Sequence, residues 1–131
     1  MLNFKISELA HSDTAVKYNI NNMPDINSLD YMLDLIFYVL QPLREKLGTP
    51  IVITSGYRCD KVNKLVGGVA TSQHTKGQAV DIQTKKMSTQ ELFNYILKSR
   101  LEYDQLINEY NRWVHISFVK GKNRKQCFKI I

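Results

Sequence analysis

Two histidines and an aspartate, His74, Asp81 and His115, have the side chains a catalytic zinc takes, and they fall in two segments that otherwise read as strands. Neutral imidazole nitrogen and carboxylate oxygen suit a borderline ion such as Zn²⁺, and three protein ligands leave a fourth position for water. That pattern belongs to a hydrolytic site rather than to a closed structural one. Taken singly, each histidine reads as an ordinary surface or core residue. The weight comes from coincidence, since two of the chain's three histidines join the aspartate in one pattern.

Those ligands need elements that aim them. In Gly77-Gln78-Ala79-Val80-Asp81-Ile82-Gln83, Val80 and Ile82 alternate with Ala79 and Asp81, so a strand here buries one face and turns Asp81 to the other. The same parity holds for Val114, Ile116 and Phe118 against Trp113, His115 and Ser117. If the two strands share a sheet, Asp81 and His115 project from one face with the aliphatic residues behind them. His74 precedes Asp81 across Thr75, Lys76 and the flexible Gly77, which lets the chain turn before the strand begins.

Further elements follow from caps and periodicity. Ser28 is the expected N-cap of a helix whose apolar stripe is Leu29, Met32, Leu33, Ile36, Leu40, Leu43 and Leu47, ended by Gly48 and kinked or split by Pro42. Ile51-Val52-Ile53-Thr54 reads as a strand delivering Ser55 to Arg58. Asp60 is expected to cap a short helix running to Val66 and stopped by Gly67-Gly68. Ser88-Thr89-Gln90-Glu91 is a capping box opening a helix to about Ser99. Strands near 77–83, 103–110, 113–120 and 126–130, with a hairpin turning at Gly121-Lys122-Asn123, put helices mostly early and strands late. The expected fold is α+β, an antiparallel sheet with helices packed on one face, in one domain spanning residues 1–131.

At the level of motifs the chain resembles the zinc D-Ala-D-Ala carboxypeptidase-like peptidases, the M15 group, which also includes phage L-alanyl-D-glutamate endopeptidases. The residues that carry the likeness are Ser55-Gly56-Tyr57-Arg58, Asn63, Gly67-Gly68, Ser72-Gln73-His74, Gly77, Ala79, Asp81 and Trp113-Val114-His115, with Ser7-Glu8-Leu9 and Thr14-Ala15 at the amino-terminal end. The likeness runs from Phe4 to about Phe118. It implies that His74, Asp81 and His115 bind Zn²⁺, that Arg58 contacts substrate, and that the substrate is a peptidoglycan stem peptide or cross-link. The same fold resembles the hedgehog signalling domain, where such a zinc site serves binding. A catalytically inactive, zinc-stabilised binding or virion structural module is therefore the alternative reading.

Many members of that group carry an acidic general base three residues before the last histidine, where this chain has Arg112. A guanidinium cannot accept a proton at working pH, so another group must take the proton of the attacking water. Glu109 is the candidate. A three-residue hairpin loop of Asn111, Arg112 and Trp113 would set Glu109 directly opposite His115, whereas a two-residue loop of Asn111 and Arg112 would turn it to the core. Ser72 has two open roles, a contact to substrate or a hydrogen bond to the loop that holds His74. His11, in an expected short helix with Ser12 and Asp13, reads as a surface residue, and Trp113 as a core or rim anchor.

The formal net charge of +6 implies attraction to polyanions. Much of the excess lies at Lys120, Lys122, Arg124, Lys125 and Lys129. A lysine-protected strand edge explains these more simply than specific nucleic-acid binding, and the charge would steer a wall hydrolase towards anionic peptidoglycan. The amino-terminal Met1-Leu2-Asn3-Phe4-Lys5 lacks the apolar core of a signal peptide, and no apolar run spans a bilayer. Cytoplasmic synthesis followed by action on the cell wall, as a monomer and from either a phage or a bacterial gene, is the expectation. Under that expectation Cys59 and Cys127 are thiols, not a disulfide or a second metal site.

Overall fold

The computed structural model describes residues 2–131. Two short helices come first, α1 (Ile6–Ala10) and α2 (Asp13–Lys17). The single short helix expected around His11 is thus two, because His11 adopts an extended conformation and Ser12 caps α2 by accepting the Ala15 N–H.

The long apolar stripe forms α3 (Ile26–Leu35), a π-helical turn (Ile36–Leu40) and α4 (Gln41–Leu47). Its N-cap is Asp25, whose carboxylate takes the Ser28 N–H at 2.7 Å, and not Ser28, which is buried within the first turn. Pro42 lacks the N–H that a regular helix would send to Tyr38, and the widened turn just before it lets the helix continue without a sharp break. Gly48 ends α4 in a left-handed conformation, φ 66°. Met32, Leu35, Ile36, Val39, Leu40 and Leu43 are buried, whereas Leu33 lies at the margin and is exposed.

After β1 (Val52–Ser55) come α5 (Asp60–Leu65), a 3₁₀ turn (Gln73–Lys76), β2 (Ala79–Gln83) and α6 (Thr89–Lys98). Cys59, not Asp60, is the N-cap of α5. The Ser88/Glu91 capping box is present in full, with Ser88 Oγ accepting the Glu91 N–H and Glu91 accepting the Ser88 N–H. Three strands complete the sheet, β3 (Gln105–Glu109), β4 (Trp113–Ser117) and β5 (Gln126–Ile130), in the order β1-β2-β4-β3-β5. The fold is α+β. One sheet face supplies Val80, Ile82, Leu106, Val114 and Ile116 to a buried cluster shared with α3, α4 and α6.

Two details of the sheet depart from expectation. The pairs β1–β2, β2–β4 and β3–β4 are antiparallel, but β5 runs parallel to β3. The expected hairpin at Gly121–Asn123 cannot form because β4 lies between β2 and β3, with both edges already hydrogen-bonded. The chain instead crosses the end of the sheet and returns along the free edge of β3. Between Ile53 and Ser55 the β1–β2 register shifts by one residue, a bulge that brings Ser55, not Thr54, opposite Asp81.

The return crossing is anchored at Asp104, which is 2 % exposed. Its carboxylate accepts hydrogen bonds from Arg124 Nε at 2.9 Å, Arg124 Nη2 at 2.7 Å and the Arg124 N–H at 2.9 Å. These bonds, led by the Arg124 side chain, lower the Asp104 pKa to about 2 against the opposing effect of burial. A carboxylate depressed in the folded state stabilises it above the ordinary carboxylate pKa of roughly 4. That contribution, on the order of 2 kcal/mol, is lost as pH falls towards 2. Asp104→Ala is therefore expected to lower the unfolding free energy by about that amount at neutral pH, and the gap between variant and parent should close on acidification. Denaturant titration at pH 7 and at low pH checks this; an equal gap at both would show that the charge is not responsible.

Candidate functional site

On the sheet face opposite the aliphatic cluster, Asp81 of β2 pairs across the ladder with His115 of β4, and Ser55 of β1 lies opposite Asp81 on its other side. The 3₁₀ turn carries His74 over the same spot. Asp81 Oδ1 lies 3.0 Å from His115 Nδ1 and 3.3 Å from His74 Nε2. One donor atom from each of the three residues falls within 4.8 Å of the others. All are buried, at 4 %, 6 % and 8 % exposure for His74, Asp81 and His115.

The local sequence sets this geometry. Ser72 caps the 3₁₀ turn by accepting the His74 N–H at 3.2 Å, and Gly77 ends it at φ 75°. A Cβ at Gly77 would come 2.4 Å from the Ser28 carbonyl oxygen, so the turn packs directly on α3. Of the two roles open to Ser72, its hydroxyl performs the bond to the His74 loop by accepting the His74 N–H.

His74 Nδ1 lies 2.8 Å from the Gly56 carbonyl oxygen, an atom that only accepts, so this nitrogen carries the proton and donates. Nε2 faces the Asp81 carboxylate, which also only accepts when ionised. With both ring nitrogens turned to acceptors, His74 is satisfied by a second proton or by a metal cation at Nε2. The 3.3 Å between His74 Nε2 and Asp81 Oδ1 is compatible with the second case, because ligands roughly 2.0–2.1 Å from a tetrahedral zinc stand about 3.3 Å apart. Burial alone would raise the Asp81 carboxyl, but hydrogen bonds from His115 and His74 and their charges prevail and hold it far below the usual carboxylate range. An ionised carboxylate between two imidazoles can hold a divalent cation.

Around this cluster lie a cation and a second acid. Arg58 is placed by Asn63 Oδ1 at 3.1 Å and Ser55 Oγ at 3.3 Å, with Nη2 3.9 Å from Asp81 Oδ2. A Cβ at Gly68 would lie 2.0 Å from Asn63 Oδ1 and 3.0 Å from Arg58 Nη1. Gly68 is thus more than the turn residue its sequence suggests; its bare backbone makes room for the Arg58–Asn63 pair.

Glu109 lies on the ligand face, with Oε1 3.7 Å from His115 Nδ1. The expected register is corrected. Glu109 pairs with Trp113, and Ile107 stands opposite His115. The loop is Tyr110–Arg112, in which Tyr110 and Asn111 are both left-handed (φ 58° and 56°) and the Arg112 N–H returns to the Glu109 carbonyl at 3.0 Å. Buried Asn108 drives this turn by accepting the Asn111 N–H at 3.0 Å. A slip of two residues preserves side-chain parity, so Glu109 reaches the site diagonally. Burial first, and the Asp81 charge second, raise the Glu109 pKa against the pull of both histidines. Arg112 is exposed in the turn.

A cleft of about 430 Å³ opens over Asp81, lined by Arg58, Ser55, Tyr57 and Trp113 together with His11, Ser12, Asp13 and Thr14. His11, expected to be a plain surface residue, is exposed at the rim and paired with Asp13 at 2.9 Å. The Gly56 carbonyl is the contact sequence reasoning missed, although it sits within the Ser-Gly-Tyr-Arg segment already singled out. A Cβ there would lie 2.1 Å from the Leu9 carbonyl oxygen, which is the physical reason for glycine at that position. Both cysteines are free thiols. Among the described residues no helix is long and apolar enough to cross a membrane.

No curated protein matches the chain. A sequence model described as Peptidase M15 matches residues 2–117, which spans every residue of the site described above. The chain belongs to the Peptidase M15 family.

Proposed function

We propose that the protein is a zinc-dependent peptidoglycan peptidase that hydrolyses an amide bond of the stem peptide or cross-link, as a D-Ala-D-Ala carboxypeptidase or endopeptidase. The observation that carries this reading is the position of Glu109. A partly buried carboxylate of raised pKa stands 3.7 Å from one of three convergent metal-binding side chains, where a binding module has no need of one.

His74, Asp81 and His115 would hold the zinc, which when bound supplies Lewis acidity to a carbonyl and to a water. Glu109 accepts the proton of the attacking water and returns it to the leaving amine. Arg58 presents a fixed planar fork at the cleft floor and binds a substrate carboxylate or the developing oxyanion. The basic surface, from a net charge of +6, favours approach to the anionic cell wall, the expected place of action.

The test is release of new amino groups from purified peptidoglycan by zinc-loaded protein, with and without a chelator. Arg58→Lys belongs in the same experiment. A point charge cannot reproduce the fork, so this variant is expected to keep its zinc and fold while turnover falls by roughly 10²-fold. Full zinc uptake with no hydrolysis by the parent would identify a binding module instead. Parent-like turnover by Arg58→Lys would leave Arg58 a structural residue.

A further inference from the structure

Asp104 does more than anchor the crossing chain. Its Oδ2 accepts a hydrogen bond from Gln73 Nε2 at 2.9 Å as well as the 2.7 Å bond from Arg124 Nη2. Gln73 immediately precedes His74 in the 3₁₀ turn. Among the described residues its other side-chain atom, Oε1, is buried without a partner, and its only further side-chain bond is a long one of 3.4 Å to Gln78 Oε1. The Asp104 carboxylate is therefore the principal tie holding that side chain. Arg124 lies beyond residues 2–117, outside the family match.

We propose that Asp104 and Arg124 form a positioning device for the metal centre, acting through Gln73 on His74. The proposal rests on the reading that His74, Asp81 and His115 hold zinc. A two-pronged guanidinium bond fixes the plane of a carboxylate, whereas a single donor leaves it free to turn. Because Arg124 occupies both oxygens, Oδ2 is aimed at Gln73 and cannot rotate away. Gln73 in turn holds the start of the turn from one side, while the Gly56 carbonyl holds the His74 ring from the other. The turn keeps its own backbone bonds without the device, including Gln78 N–H to Gln73 O at 3.0 Å and Arg58 N–H to His74 O at 3.0 Å. Beyond the stability that goes with the Asp104–Arg124 pair, loss of the device thus costs accuracy in the placement of His74. Partners hydrogen-bonded directly to a metal ligand typically contribute roughly 10–100-fold in metal affinity, and a tie acting through the neighbouring residue is expected at the low end of that range.

Zinc affinity measured by competition with a chromophoric chelator tests this, together with the visible spectrum of the cobalt(II)-substituted protein, which reports ligand geometry without reference to activity. Arg124→Gln and Gln73→Leu are each expected to weaken zinc binding by up to roughly 10-fold and to shift the cobalt bands. Arg124→Lys should fall between parent and Arg124→Gln, since an ammonium can hold one oxygen but not the plane. The double variant should bind no more weakly than either single one, because both act along one path. Arg124 is half-exposed, and should Arg124→Gln nevertheless fail to fold, Gln73→Leu leaves the Asp104–Arg124 pair intact and carries the test. Unchanged affinity in both single variants, or losses that add in the double, would overturn the proposal. A parent protein that takes up no zinc would instead refute the metal centre itself, and the positioning device with it.

Discussion

Asp81→Ala is expected to strip the protein of zinc and to reduce peptidoglycan hydrolysis to background. Asp81 Oδ1 stands between His115 Nδ1 at 3.0 Å and His74 Nε2 at 3.3 Å, so its removal takes away the only anionic donor of the cluster. The affinity loss should exceed the roughly 10–100-fold that an outer partner costs. Asp81→Asn keeps the shape of the side chain and separates loss of charge from loss of volume. Elemental analysis and thermal melting read the two effects apart. Stoichiometric zinc in the Asp81→Ala protein would remove Asp81 from the site, whatever the activity.

The second large effect is expected at Glu109. Glu109→Gln keeps the size and hydrogen bonding of the side chain but cannot accept a proton, so zinc content should persist while the hydrolysis rate falls by roughly 10²–10⁴-fold. The two variants thus fail differently, one by losing the metal and the other by losing proton transfer with the metal in place. The expectation rests on the 3.7 Å approach of Glu109 Oε1 to His115 Nδ1 and on the inability of the Arg112 guanidinium, exposed in the turn, to accept a proton. Hydrolysis by Glu109→Gln at the parent rate would assign the base elsewhere.

Several parts of this molecule are legible in the amino-acid chain alone. Alternation of Val80 and Ile82 with Asp81, and of Val114 and Ile116 with His115, assigns Asp81 and His115 to one sheet face, because the two-residue period of a strand is a local property. The Ser88/Glu91 capping box and the Gly48 stop are likewise written in a few neighbouring residues. Strand parity puts Glu109 on the correct face even through an incorrect register, since a slip of two residues moves a side chain along a strand without turning it over.

What only the tertiary structure decided depends on partners distant in sequence. The bulge that sets Ser55 beside Asp81 lies in the pairing of β1 with β2, between residues distant in sequence. The parallel placement of β5 follows from β4 having no free edge, which is a property of the assembled sheet and not of residues 113–130. Arg124 illustrates the difference most directly. As sequence it is one of several basic residues near the end of the chain. In the fold its guanidinium grips a buried carboxylate, and that carboxylate holds the residue next to His74. Residue type and alternation determined which groups could do chemistry and which way they face. Competition among sheet edges, and the need of the buried Asp104 charge for a partner, determined what stands beside them.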